Sequence, residues 1–172
     1  TFSVCHALFF FFLSSHGYGA AFRSPPLAAV RIRPWLNNED PSLESIRVAT
    51  HSSSASAAVE VRTQGRCWAY PSHFVFSPEH PQAWVYKELL TKIIGEAIAS
   101  GRGGSILVCG PPGSGKSHTT LGYGADPGLI PLATLDIFRS VSGGNGKLKV
   151  WCSYFEVLSD ELIDLLEPLP DP

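Results

Sequence analysis

From Leu27 on, short alternating runs of apolar and polar residues come first, and helical spacing takes over in the middle of the chain. Leu27 to Pro34 (LAAVRIRP) alternates in its second half and ends at a proline, which predicts a short strand. SIRVAT (Ser45 to Thr50) and AAVEVRT (Ala57 to Thr63) are similar segments joined by a polar, low-complexity linker, and they predict a small peripheral β-meander. HFVFSPEHP, starting at His73, ends a further strand in loop residues. From Gln82 to Ser100 apolar residues recur at Val85, Leu89 and Ile93, and at Tyr86, Leu90, Ile94, Ala97 and Ile98, the spacing of one long helix. Gly95 inside it costs about 1 kcal/mol relative to alanine, and Gly101 is placed to end it. SILVC (Ser105 to Cys109) is a continuous apolar run, the pattern of a strand buried on both faces. A helix is expected from near Ser117. GYGADPG (Gly122 to Gly128) interrupts, and LIPLATLDIFRSV resumes helical spacing at Leu132, Leu135 and Phe138. After the turn cluster SGGNGK, LKVWCSYFEVL (Leu148 to Leu158) predicts a long strand, with Ser159 capping a helix over DELIDLL. Strand, helix, strand, helix and strand in that order make an α/β layered domain with a mixed or parallel sheet.

The chemistry sits between the third and fourth of these elements. Gly110, Gly115, Lys116 and Ser117 fit G-x-x-x-x-G-K-[ST], with an apolar strand before and a helix after. Gly113 and Gly115 permit a backbone that turns successive N–H groups inward around phosphate oxygens. The helix that follows adds the positive end of its dipole. Lys116 supplies a mobile charge for the β- and γ-phosphates, and the Ser117 hydroxyl suits Mg²⁺. Pro111 and Pro112 lack N–H groups but precede the glycines, so the cradle survives them. ATP with Mg²⁺ is the expected ligand, and Lys116 and Ser117 carry the expected catalytic roles.

Composition narrows the remaining choices. The chain has 172 residues, 44% hydrophobic and 16% charged, which is globular rather than disordered. A formal charge of −2, with thirteen scattered Lys and Arg, argues against nucleic acid as a partner. Cys5, Cys67, Cys109 and Cys152 form no C-x-x-C pair, so neither structural zinc nor a disulfide framework is expected. Cys109 is read as a buried strand residue. VCHALFFFFL (Val4 to Leu13) is shorter than the about 20 residues that a membrane-spanning helix needs, so no membrane partner is expected. Residues 1–26 are read as an apolar extension outside the domain, with a signal-peptide core or buried structure as alternatives.

Taken alone, ILVCGPPGSGKS resembles the AAA+ ATPases, yet no apolar strand ending in Asp-Glu follows, because Asp160 and Glu161 come after Ser159. The wider sequence resembles the kinesin motor domain over Leu27 to Pro168. AVRIRPW is similar to its opening strand with R-x-R-P, and VFSPEHPQAWVYKEL to its V-F-x-P…Q-x-x-V-Y segment. GRGGSILVCGPPGSGKSHTTLG, GLIPLATLDIF and VWCSYFEVLSDELIDLLEP resemble three further kinesin motifs in the same order.

That resemblance implies a P-loop NTPase three-layer α/β sandwich with a central mixed, mainly parallel sheet, over residues 27–168, with 169–172 as a short end. It implies adenine contacts at Arg31, Arg33 and Pro34, with His118 facing the base from the loop side. It implies triphosphate and Mg²⁺ at Gly110, Pro111, Pro112, Gly113, Ser114, Gly115, Lys116 and Ser117, and microtubules as the partner in a cytoplasmic, cytoskeletal setting. From the residues alone, a solvated strand face is the favoured reading of Arg31 and Arg33. Tyr154 and Glu156 read as structural, and Trp84, Tyr86, Phe138 and Trp151 as packing. The chain departs from the family at Pro111-Pro112, at Leu132 where Arg is common, and at Leu158-Ser159. It also contains no N-x-x-S-S-R-S-H or D-x-A-G-S-E segment, so binding without useful hydrolysis is expected of these residues. An AAA+ type ATPase and a non-catalytic kinesin-like protein remain the alternative readings.

Overall fold

The computed structural model describes residues 11–16, 27–36, 46–50, 57–63, 66–100, 103–143 and 149–167. They divide into two compact units, Thr1–Phe138 and Arg139–Pro172. No helix among the described residues is long and apolar enough to cross a membrane.

The first unit is built on a four-stranded sheet. Its strands are β1 (Phe11–His16), β2 (Leu27–Arg31), β6 (Phe74–Phe76) and β7 (Gly103–Val108), in the order β6-β2-β1-β7. β2 pairs parallel with β6, and β1 pairs antiparallel with both β2 and β7. Three of the four strands therefore run the same way while two of the three pairings are antiparallel, so the sheet is mixed, as expected. The position of β1 is not. Phe11–His16, read from sequence as outside the domain, lies in the sheet and matches its backbone to β7 from Phe11↔Val108 to His16↔Gly103. Such a segment satisfies backbone donors and acceptors of two neighbours at once.

β3 (Ile46–Thr50) and β4 (Ala57–Thr63) form the expected antiparallel pair, and β5 (Arg66–Ser72), not read from sequence, extends it to a three-stranded meander. Ser72, buried at its end, donates from its hydroxyl toward Ala28 O and Phe74 O, both at 2.9 Å. That anchors the meander to β2 and β6.

The long helix divides at Leu90 into α1 (Gln82–Leu89) and α2 (Thr91–Ser100). Leu90 has φ −106°, which departs from the helical value. Its N–H still bonds Tyr86 O at 2.8 Å, and Ile94 N–H bonds Leu90 O at 2.9 Å, so the apolar face continues across the break. That face, with Val85, Tyr86, Leu89 and Leu90, packs on Ala29 and Phe76 of the sheet and on Leu129. α3 (Lys116–Thr120) and the two-residue strands β8 (Gly122–Tyr123) and β9 (Asp126–Pro127) follow β7, and α4 (Leu129–Gly143) opens on the buried Leu129. β7 differs from expectation: Ile106 and Leu107 are 39% and 56% exposed, so it is not buried on both faces.

The second unit departs furthest from the sequence reading. Residues 149–154 belong to no strand or helix, and the strand over Leu148 to Leu158 shortens to β10 (Phe155–Leu158). β11 (Glu161–Asp164) replaces the helix expected over DELIDLL and pairs antiparallel with β10. Ser159 and Asp160 link them with φ of +48° and +67°. Two left-handed residues make the turn that matches strand twist, whereas a helix N-cap needs extended backbone at Ser159. Trp84, Phe138 and Trp151, expected in packing, are 42%, 53% and 89% exposed; only Tyr86 of that group is buried.

Candidate functional site

The loop from Cys109 to Gly115 connects β7 to α3 and curls because its glycines allow it. Gly113 has φ +74° and Gly115 φ +90°, a region where side-chain-bearing residues are strained. Gly115 is the residue from which α3 starts, and Thr119 N–H bonds back to its carbonyl at 2.9 Å. Ser114 is 2% exposed, and its Oγ has no hydrogen-bond partner among the described residues. A buried hydroxyl in that state costs about 1–3 kcal/mol, so it marks a place where a ligand group is missing from the balance. The Lys116 ammonium donates to Gly110 O and Pro111 O, both at 2.9 Å, which spans the loop and leaves its third proton uncommitted to either.

These residues face a cavity of about 650 Å³, a size suited to small-molecule ligands. Gly113 to Thr119 form one wall and Arg31 to Pro34 with Leu36 another; Pro78 to Pro81, Tyr123 and Asp126 complete it. Of the residues expected at a nucleotide site, Arg31, Arg33, Pro34 and Gly113 to His118 line this cavity. Gly110, Pro111 and Pro112 do not; they serve as the acceptors for Lys116 or as the loop's entry.

Arg31 lines the cavity and is also tied into the fold behind it. It is 8% exposed, and its Nη1 donates to Gln82 Oε1 at 2.5 Å and Thr119 Oγ1 at 2.9 Å. Burial pulls the guanidinium pKa below its ordinary value, and the Asp126 carboxylate partly offsets that. Arg33 instead turns outward enough to donate from Nη1 to Pro34 O at 2.9 Å. His118 is held on several sides. Gln82 Nε2 lies 3.2 Å from its Nδ1 and also donates to its backbone carbonyl. Asp126 Oδ2 is 3.6 Å from its Nε2, and the Tyr123 ring packs at a centroid distance of 5.7 Å. At the opposite wall His80 Nδ1 accepts from Ser77 N–H at 2.8 Å and its ring meets Trp84 edge-on at 4.0 Å. The carboxyl of Glu79 has its pKa lowered, first by a hydrogen bond from Ser77.

Gln82, Thr119, Tyr123, Asp126 and His80 were not singled out from sequence. Gln82 did leave a signal: it shares the apolar spacing of Val85, Tyr86 and Leu89, and a polar residue on a buried helix face is informative. The others are brought in by the chain's path alone.

The arrangement fits a magnesium nucleotide. The loop offers inward backbone, a mobile cation and an unsatisfied hydroxyl for phosphate oxygens, and Ser117 is an exposed oxygen donor of the hard kind that Mg²⁺ takes.

A family model, Kinesin motor domain, matches residues 31–171. Among curated proteins, kinesin-like protein KIF22 of Mus musculus is 30% identical over 159 residues, which cover 87% of this chain and 24% of that protein. Kinesin-like protein KIN-8A of Arabidopsis thaliana is 36% identical over 101 residues, covering 56% of this chain and 14% of that protein. The chain thus spans about a quarter or less of the length of these relatives. Among solved structures, the motor domain of the Kar3-like kinesin from Ashbya gossypii aligns with a TM-score of 0.61 at 19% identity, over 80% of this chain and 45% of that one. KIF14, solved with ADP in complex with a microtubule, aligns with a TM-score of 0.60 at 22% identity, over 84% and 42%. The fold is that of a P-loop NTPase, and the chain belongs to the kinesin motor domain family.

Proposed function

We propose that this chain is the nucleotide-binding part of an ATP-driven microtubule motor. The observation that carries the reading is the loop of Gly113 to Ser117, whose buried Ser114 hydroxyl lacks a partner at the wall of a cavity of about 650 Å³. In this reading the loop's N–H groups and Ser114 hold the phosphates, and Lys116 exchanges its carbonyl partners for phosphate oxygens. Ser117 would hold Mg²⁺, which when bound neutralises charge on the terminal phosphates. Arg33, Pro34 and His118 border the base, with Arg31 acting from behind through Gln82 and Thr119 rather than touching it.

Microtubules as the partner, movement along them and a place on the cytoplasmic cytoskeleton come from the family and from relatives such as KIF14, solved in complex with a microtubule. Nucleotide binding is the activity proposed for these 172 residues, and hydrolysis coupled to movement is proposed for the motor to which they belong. Calorimetry with ADP and Mg²⁺ tests the reading. Wild-type chain should bind, and Lys116→Ala should weaken binding by about 10- to 100-fold, the scale of a charge-assisted hydrogen bond. A folded wild-type chain that takes up no nucleotide would refute it.

A further inference from the structure

We propose that Gln82, oriented by the buried Arg31, is a positioning residue that fixes the backbone and the imidazole protonation pattern of His118 at the nucleobase end of the cavity. The proposal rests on the nucleotide-binding reading above and adds a residue to it.

Donor and acceptor chemistry leaves one arrangement. A guanidinium can only donate, so the amide oxygen of Gln82 must face Arg31 Nη1, at 2.5 Å. The amide nitrogen, with two protons, then faces His118. One proton goes to the His118 carbonyl, and the other points at Nδ1, 3.2 Å away. Nδ1 can accept it only when bare, which places the imidazole proton on Nε2, the nitrogen 3.6 Å from the Asp126 carboxylate. Gln82 is 1% exposed, so water does not compete for these bonds. Arg31 is in turn held by Thr119, the residue after His118, which is also 1% exposed. One buried amide therefore ties β2, α1 and α3 together behind the ring, and Tyr123 packs against it from β8. A ring fixed in advance in one orientation saves the ordering cost that a rotating side chain would meet when a base arrives. Inorganic polyphosphate, which has no base, would gain nothing from it.

The experiment uses the whole 172-residue chain with ADP and with inorganic tripolyphosphate, each with Mg²⁺, in calorimetry. Gln82→Met removes both donors to His118 and the acceptor for Arg31 without adding charge. It should weaken ADP by about tenfold, the scale of one lost hydrogen bond to a buried group, and leave tripolyphosphate within about twofold. Gln82→Glu keeps a partner for Arg31 and sets a pure acceptor against Nδ1, so it preserves the fold should the methionine variant lose it. Long-range ¹H–¹⁵N spectra of the imidazole should show a bare Nδ1 in wild type and a protonated Nδ1 in Gln82→Glu. Equal losses for both ligands, or the same imidazole spectrum in wild type and Gln82→Glu, would overturn the proposal. A wild-type chain that binds neither ligand would instead defeat the nucleotide reading, and the spectra alone would then decide whether Gln82 fixes His118.

Discussion

The β8–β9 hairpin holds Tyr123 and Asp126 at the cavity wall, and the same substitution at three glycines tests whether its closure is as tight as the structure draws it. Gly122 sits at φ +76° with its α-carbon against the partner strand. An alanine methyl there would lie 2.7 Å from the carbonyl carbon of Pro127 and closer still to Asp126 O and Gly128 N. All three are backbone atoms, so no rotamer change relieves the clash. Left-handed backbone costs about 1–2 kcal/mol and overpacking a further 1–3, giving about 3 kcal/mol for Gly122→Ala. Gly124 has φ +55° but nothing within 4 Å of the added methyl, so Gly124→Ala keeps only the backbone cost, about 1 kcal/mol. Gly95 lies within α2 with open space around it, and Gly95→Ala should stabilise by about 0.5–1 kcal/mol.

Urea unfolding followed by far-ultraviolet circular dichroism reads all three. With an m-value of about 2 kcal/mol/M, the midpoint should fall by about 1.5 M for Gly122→Ala and about 0.5 M for Gly124→Ala, and rise by about 0.3 M for Gly95→Ala. The order matters more than the sizes. A Gly122→Ala midpoint no lower than that of Gly124→Ala would show that the hairpin backbone does not close on Gly122, and Asp126 would lose its assigned place beside His118.

Two further outcomes follow from the packing. Tyr86, 7% exposed, donates to Asp136 Oδ2 at 2.6 Å, and burial first, then that bond and the nearby negative charge, raise its phenol pKa. The folded state thus holds the proton more tightly than the unfolded chain, so this contribution is whole below the unfolded tyrosine pKa of about 10 and falls as pH rises above it. Tyr86→Phe should cost about 1 kcal/mol at neutral pH and flatten the loss of stability in alkaline urea titrations; an unchanged alkaline slope would reject the assignment. Deleting residues 1–26 removes β1 and opens facing edges on β2 and β7, which should drive association visible by size-exclusion chromatography; a monomeric deletion variant with unchanged circular dichroism would show that β1 is dispensable to the sheet.

The phosphate loop was legible because its chemistry needs consecutive residues: glycines for left-handed backbone, then a cation and a hydroxyl at fixed offsets. The β3–β4 pair and the helical run from Gln82 were legible for a similar reason, since each repeats its period over several residues. Ser159 shows where that logic fails. The same Ser-Asp-Glu order serves a helix start and a two-residue hairpin turn, and only the backbone, left-handed at Ser159 and Asp160, distinguishes them. Nor could period alone tell whether Phe11–His16 would find neighbours, because pairing depends on the free edges of β2 and β7, set by segments far away in sequence.

Arg31 shows a deeper limit, because its motif was legible while its partners in the fold were not. An arginine on a strand before a nucleotide cavity invites a base contact, and R-x-R-P invites it twice. The side chain's direction is decided elsewhere, by Gln82 on α1 and Thr119 on α3, 51 and 88 residues along the chain. A buried cation without such partners would cost several kcal/mol, so the two neutral oxygens determine where the guanidinium can rest. Arg33, two residues on and past the end of β2, bonds Pro34 O. One motif therefore sends its two guanidiniums to different partners, and those of Arg31 lie on two helices far along the chain. The polar residue on the apolar face of α1 is the clue that could have revealed it: Gln82 shares the face of Val85, Tyr86 and Leu89, and a buried amide there requires hydrogen-bond partners opposite.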